Sequence, residues 1–149
     1  MKRSLTMLWM PVIAGGSIAA LIYYRRRRAK RSLAPSLKAR PSRLTRHPED
    51  CAVWRFANRF ALVAPGKTLR LELTSPAIVR WTTNGWDTVR DSRTVEVDEM
   101  HLADLDTAGL DPGSRIQFTF YWPDANRWEG QDFDVRVAER AYYGGTVSD

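Results

Sequence analysis

Residues 115–122, RIQFTFYW, alternate strictly: Ile116, Phe118, Phe120 and Trp122 fall on one side, Gln117, Thr119 and Tyr121 on the other. A period of two is the signature of a strand with one face in a core and one toward solvent. Working outward, residues 67–74 repeat the pattern with Leu69, Leu71 and Leu73 set against Arg70, Glu72 and Thr74, and residues 131–137 repeat it with Phe133, Val135 and Val137 against Asp132, Asp134 and Arg136. Weaker strand signals cover 53–60, 77–83, 86–90, 94–97 and 101–105. Turn residues stand between the runs: Pro65-Gly66, Ser75-Pro76, Asn84-Gly85, Asp111-Pro112-Gly113 and Pro123-Asp124. Short strands in close succession, with no long amphipathic helix, predict an all-β fold, an immunoglobulin-like antiparallel β-sandwich over residues 47–140. The last stretch, 141–149, reads as a disordered tail.

Charge divides the chain differently. The whole sequence has 23 basic and 17 acidic residues, yet residues 1–46 hold twelve Lys and Arg and no Asp or Glu, which leaves a net of −6 for 47–149. The high pI therefore belongs to the head segment. A nucleic-acid-binding domain carries its positive charge on a folded face, so this distribution argues against such a partner.

Residues 7–24, MLWMPVIAGGSIAALIYY, are uncharged and as a helix would span about 27 Å, close to a bilayer core. Met7 opens the run, Trp9 and Tyr24 stand at interfacial depth, and Gly15, Gly16 and Ala20 supply small residues of the kind that let membrane helices approach one another. A cleaved signal peptide would share the basic start. The cluster Arg25, Arg26, Arg27, Arg28, Lys30 and Arg31 just after the run argues against export. The expectation is one N-terminal transmembrane helix in 1–28. The positive-inside rule places the following domain on the cytoplasmic side of a plasma membrane of bacterial type. The same basic residues would touch anionic lipid. Residues 29–46, rich in Pro, Ser, Arg and Lys, read as a flexible basic tether.

Catalytic equipment is sparse. The sequence has no nucleophile elbow, zinc-protease helix or phosphate loop. His47 reads as solvated, His101 as a structural histidine and Cys51 as a small apolar residue. No cofactor or metal is expected, and no enzymatic activity. The carboxylates that a glycosidase would need, Asp87, Asp91, Glu129 and Asp132, are spread over separate stretches.

Aromatic residues are the chain's distinctive asset, 16 of 149. Four tryptophans fall in two similar stretches, WTTNGW at 81–86 and WPDANRWEG at 122–130. Asn-Gly between strand-like runs predicts a two-residue type I′ hairpin, pairing Thr83 with Trp86 and Trp81 with Thr88. In that register Trp81 enters the core and Trp86 emerges at the sheet end. An exposed indole with short polar neighbours suits the apolar face and hydroxyls of a sugar ring. The expected carbohydrate-binding residues are Trp86, Trp128, Asn84, Asp87, Asn126 and Glu129.

Those motifs, with VWRF at 53–56, APGKTLRL at 64–71 and the run from Pro76 through the second tryptophan stretch, resemble the C-terminal β-domain appended to bacterial glucoamylase-type enzymes of glycoside hydrolase family 15. The resemblance covers about 53–137 and implies a starch- or glucan-binding or accessory module. The family's catalytic barrel has no counterpart here, so hydrolysis is not implied. The functional expectation is a membrane-anchored, non-catalytic module binding an α-glucan-type carbohydrate. The alternative is a protein-interaction module that holds a partner enzyme at the membrane.

Overall fold

The computed structural model describes Arg28, residues 33–45 and residues 47–139. The expected membrane span, with Met7, Trp9, Gly15, Gly16, Ala20 and Tyr24, lies outside the described residues, as do Arg25, Arg26, Arg27, Lys30, Arg31 and the tail. No helix among the described residues is long and apolar enough to cross a membrane.

A 3-10 turn at Pro48–Asp50 leads into β1 (Cys51–Trp54), followed by β2 (Leu62–Val63), β3 (Thr68–Leu73), β4 (Ile78–Thr82), β5 (Arg90–Arg93), β6 (Val95–Val97), β7 (Met100–Leu105), β8 (Arg115–Trp122), β9 (Arg127–Trp128) and β10 (Phe133–Val137). Two sheets result. One runs β1-β3-β7-β6; the other runs β2-β10-β8-β4-β5, with β9 added to β8. Most pairs are antiparallel, but β1 runs parallel to β3 and β2 runs parallel to β10. The sheets are thus mixed, a departure from the all-antiparallel expectation.

The three clear alternations hold. Leu69, Leu71 and Leu73 of β3, Ile116, Phe118 and Phe120 of β8, and Phe133, Val135 and Val137 of β10 all enter the core. Trp54 joins the sheets: from β1 its ring lies 5.1 Å from Phe118 and 4.9 Å from Phe133, both edge-to-face. Two expected strands differ. The 53–60 signal ends as a strand at Trp54, because the chain turns back through a bridge between Arg55 and Asn58. The 86–90 signal is loop through Val89, and the strand β5 begins only at Arg90.

The largest departure concerns the segment expected as a flexible tether. Residues 33–45 lie on the sandwich as a strap, so the packed unit begins well before residue 47. The amide of Arg93 in β5 donates to the carbonyl of Arg40 (3.0 Å), and the amide of Ser42 donates to the carbonyl of Arg93 (2.8 Å). The strap therefore pairs along the outer edge of β5. It covers part of the outer face of β4: Val79 and Trp81 face the core, while Arg80 is held at the Leu33 carbonyl and Ile78 lies beside Leu37. Thr82 is closed over by the following loop, through Asn84 and the Trp86 amide.

Candidate functional site

Two tryptophan turns and the strap define what the surface offers. At the first turn, β4 pairs with β5 in a register that sets Trp81 opposite Arg90, so residues 83–89 form a seven-residue loop and not a two-residue hairpin. The reason lies in Asn84. Its Oδ1 accepts the amide of Thr88 (3.0 Å), its Nδ2 donates to the Thr88 hydroxyl (3.0 Å), and the Thr82 hydroxyl donates to Oδ1 (2.9 Å). With that side chain organising a wider loop, the pair of left-handed residues moves one place along, to Gly85 (φ 65°) and Trp86 (φ 71°). A left-handed conformation at a bulky residue costs about 1–2 kcal/mol. It turns the Trp86 amide onto Thr82 Oγ1 (3.2 Å) and its side chain inward. Trp86 is only 6% exposed and stands outside the inter-sheet core cluster. The expectation that Trp86 emerges as a stacking face is corrected on this ground. Trp81 is buried as expected, its Nε1 donating to Ser92 Oγ (3.2 Å) and the Arg90 guanidinium lying 4.8 Å from its ring.

At the second turn the chain reverses tightly, Trp122 opposite Arg127, through Pro123 to Asn126. The Asn126 amide donates to the Pro123 carbonyl (3.1 Å), and Asn126 takes the left-handed conformation (φ 47°) that asparagine tolerates well. Trp128 is half-buried on the outer face, edge-on to Tyr121 at 5.3 Å and 5.2 Å from the Arg80 guanidinium. The Tyr121 hydroxyl donates to Asn126 Oδ1 (2.5 Å). Glu129, next along the chain, faces the other way: its Oε2 accepts Trp122 Nε1 (2.9 Å) and its Oε1 accepts Gln131 Nε2 (3.3 Å).

The structure therefore groups Trp128 and Asn126 around Tyr121, and Asn84 with Trp86 and the exposed Asp87 in the first loop. It turns Glu129 away from Trp128. Among the expected side chains, Trp86 is held by burial, and Asn84, Asn126 and Glu129 are held by hydrogen bonds within the fold.

Sequence reading did not anticipate the two ion pairs that hold the strap. On the outer face of one sheet, Arg80 Nε and Nη2 grip Asp91 Oδ1 and Oδ2 at 2.8 and 2.7 Å. Arg80 Nη1 donates to the Leu33 carbonyl, and Asp91 accepts the Ser36 amide (3.2 Å). On the other sheet, Arg70 Nε and Nη2 grip Asp104 at 2.6 and 2.8 Å, and Nη2 also reaches the Thr45 carbonyl (3.1 Å). Asp104 in turn accepts the Thr45 amide (2.5 Å), while the Ser42 hydroxyl bonds both the carbonyl and the amide of Asp104. The bonds to Asp104 push the Arg70 pKa further up, so the guanidinium keeps its charge. The strap is thus locked to one sheet by each pair. The only hint in the sequence is an Arg in each strand at a position the alternation assigns to solvent.

Where the strap crosses the end of the sandwich it roofs a cavity of about 510 Å³, lined among others by Arg40, Arg43, Thr68, Ser92 and Asp106. On the opposite flank, β1 and β2 are the terminal strands of their sheets, and between them opens a groove of about 340 Å³. Ala52, Val53, Phe60, Leu62, Val63 and Ala64 supply its apolar lining, and Leu62 is 57% exposed. Cys51 borders this groove, and partial burial, reinforced by the nearby Asp104 carboxylate, pushes its thiol pKa up. That is the opposite of what a nucleophile needs. Among the described residues no group of three His, Cys, Asp or Glu is placed to hold a metal.

No protein-family model, no curated protein and no solved structure matches the chain.

Proposed function

We propose that the chain is a membrane-anchored, non-catalytic docking module. Its immunoglobulin-like sandwich holds a partner protein at the cytoplasmic face of a plasma membrane. In this reading residues 7–24 span the bilayer and Arg25, Arg26, Arg27, Arg28, Lys30 and Arg31 keep the sandwich inside. One observation carries the choice of ligand. The polar side chains that would orient a small molecule are bound within the fold, whereas the flank between β1 and β2 leaves two strand edges beside an open groove in which Val53, Phe60 and Leu62 alternate with Glu49, Asn58 and Lys67. Edge amides and carbonyls with a groove of mixed polar and apolar lining between them suit an extended segment of another protein, which adds main-chain hydrogen bonds and sets alternate side chains on the groove.

The test is photo-crosslinking from position 62 in the full chain, in membranes, with position 124 on the second turn as the control. The expected result is one discrete adduct from position 62, lost when Val53→Asp is combined with it. Equal adducts from both positions, or none from 62, would overturn the proposal.

A second reading keeps the carbohydrate. It is favoured by Trp128, which retains an accessible edge next to Asn126 and the Tyr121 hydroxyl, and by the resemblance to glucoamylase accessory domains. Titration with maltoheptaose separates the two. A saturable change in tryptophan emission that W128A abolishes supports the sugar; a flat titration leaves the docking reading alone.

A further inference from the structure

The strap presents leucines to solvent in a way that side-chain pattern alone would not suggest. Four large hydrophobic residues are exposed among the described residues, and two of them are Leu33 (63%) and Leu37 (64%). Both have their carbonyls fastened to the sheet: Leu33 by Arg80 Nη1, Leu37 by Arg93 Nη2. Pro35, between them, is buried. The backbone is therefore fixed with Pro35 in and both leucines out. An apolar side chain held in water by a fastened backbone cannot turn inward to relieve its exposure.

The strap itself is cationic. Arg28, Lys38, Arg40 and Arg43 are all exposed, and residues 1–46 contain no carboxylate. The sandwich brings Glu96 to the hollow beside Leu37 and Asp106 to the cavity beside Arg40 and Arg43, while Asp91 and Asp104 are already gripped by Arg80 and Arg70. Apolar side chains ringed by Lys and Arg match the boundary between acyl chains and anionic headgroups. Reach agrees as well. From Tyr24, the last residue of the apolar run, to Leu33 there are nine residues, at most about 30 Å fully extended. The chain enters the sandwich at Leu33, on the outer face of the β4–β5 side, so that face is the one kept near the bilayer.

We propose that Leu33 and Leu37, with Lys38, Arg40 and Arg43, form a lipid-contact ridge. It seats the sandwich on an anionic membrane with the strap side down and the β1–β2 groove on the flank away from the lipid. This rests on the reading of residues 7–24 as an anchor, and the experiment separates the two. The full chain, with Cys51→Ser, receives a single cysteine at Leu37 or at Leu62, labelled with an environment-sensitive nitrobenzoxadiazole dye. Each is reconstituted into nanodiscs of phosphatidylcholine with phosphatidylglycerol, with and without lipid bearing a shallow nitroxide quencher. Leu33→Cys repeats the measurement one outward position earlier.

Dye at position 37 should emit to the blue of dye at 62 and be quenched at least about twofold more strongly, as expected of a side chain at the headgroup boundary. The difference should shrink in discs of phosphatidylcholine alone. Quenching at 37 and 33 no greater than at 62, in discs that contain the chain, overturns the ridge and leaves the anchor standing. Equal quenching at 37 with and without anionic lipid overturns the role of Lys38, Arg40 and Arg43. Failure of the chain to enter discs at all overturns the anchor and the ridge together.

Discussion

WTTNGW and WPDANRW look alike as sequence, two tryptophans separated by turn residues, yet the fold uses them in opposite ways. The loop after β4 is wide, organised by the side chain of Asn84, and places Trp86 inward at the cost of a left-handed backbone. The turn after β8 is tight, and leaves Trp128 half-buried at the surface with its ring beside Tyr121 and Arg80. The lesson is that a turn signal fixes neither loop length nor the fate of the aromatic beside it. What decides is whether the polar turn residue finds partners within the loop, as Asn84 does in Thr82 and Thr88, or across the turn, as Asn126 does in Tyr121.

The sharpest way to break this comparison is to truncate each indole. Trp86→Ala should cost about 3–5 kcal/mol, the range for a buried Trp. Trp128→Ala, half-buried, should cost about 1–2 kcal/mol, since only part of its area is withdrawn from water. Urea unfolding followed by circular dichroism gives both values, and equal losses would show that the two rings are not differently placed.

Arg80 links the two regions, being bound to Asp91 beside the first loop and set against the ring of Trp128. Arg80→Met leaves the mostly buried Asp91 carboxylate without its guanidinium partner, a loss of about 3 kcal/mol. It should also red-shift tryptophan emission. Arg70→Met, which strands Asp104 on the other sheet, should cost as much or more without that spectral change. A shift of equal size in both variants would detach Trp128 from Arg80.

Smaller effects distinguish the polar turn residues. Asn84→Gly removes bonds to both Thr82 and Thr88 and should cost about 1–2 kcal/mol. Asn126→Gly loses one exposed bond but suits a left-handed position, so its change should stay within about 0.5 kcal/mol. A reversed order would mean that the loops are organised otherwise. The smallest effect lies outside both turns. Because burial raises the Cys51 pKa, its alkylation should rise with pH later than that of a free cysteine, whose midpoint is about 8.5. The sign for stability follows: the unfolded thiol ionises first, so this group's contribution is complete at neutral pH and declines as pH rises through the folded value. Trp86→Ala and Trp128→Ala should both leave the profile unchanged.

How much of this was legible in the sequence depends on how each part is held. β3, β8 and β10 were plain because one face of each packs on the opposite sheet, and side chains of period two record that. β2 and β9, two residues each, are too short for any periodicity. The parallel pairing of β1 with β3 leaves no mark in the pattern either, since alternation is the same for both directions. The strap was illegible for a different reason. It docks through its amides and carbonyls to Arg70, Arg80, Arg93, Asp91 and Asp104, so its own side chains follow no apolar period and read as a loose tether. At the candidate sugar site, composition correctly located two aromatic turns. Burial of Trp86 and the internal bonds of Asn84, Asn126 and Glu129 depend on register and on loop closure, which composition does not encode.

A segment fastened to both sheets makes residues 33–45 part of the packed unit. The most direct test compares unfolding of two fragments, 33–149 and 47–149. Removing the strap takes Leu37 from beside Ile78 and takes away the strap-side partners of Arg70, Arg80 and Asp104. Charge-assisted hydrogen bonds are worth about 1.5–3 kcal/mol each before the regained chain entropy is subtracted. The shorter fragment should therefore be less stable by at least about 2 kcal/mol, a fall of roughly 10 °C in midpoint for a domain of this size. Equal midpoints for the two fragments would contradict the account and return residues 33–45 to the role of a loose tether.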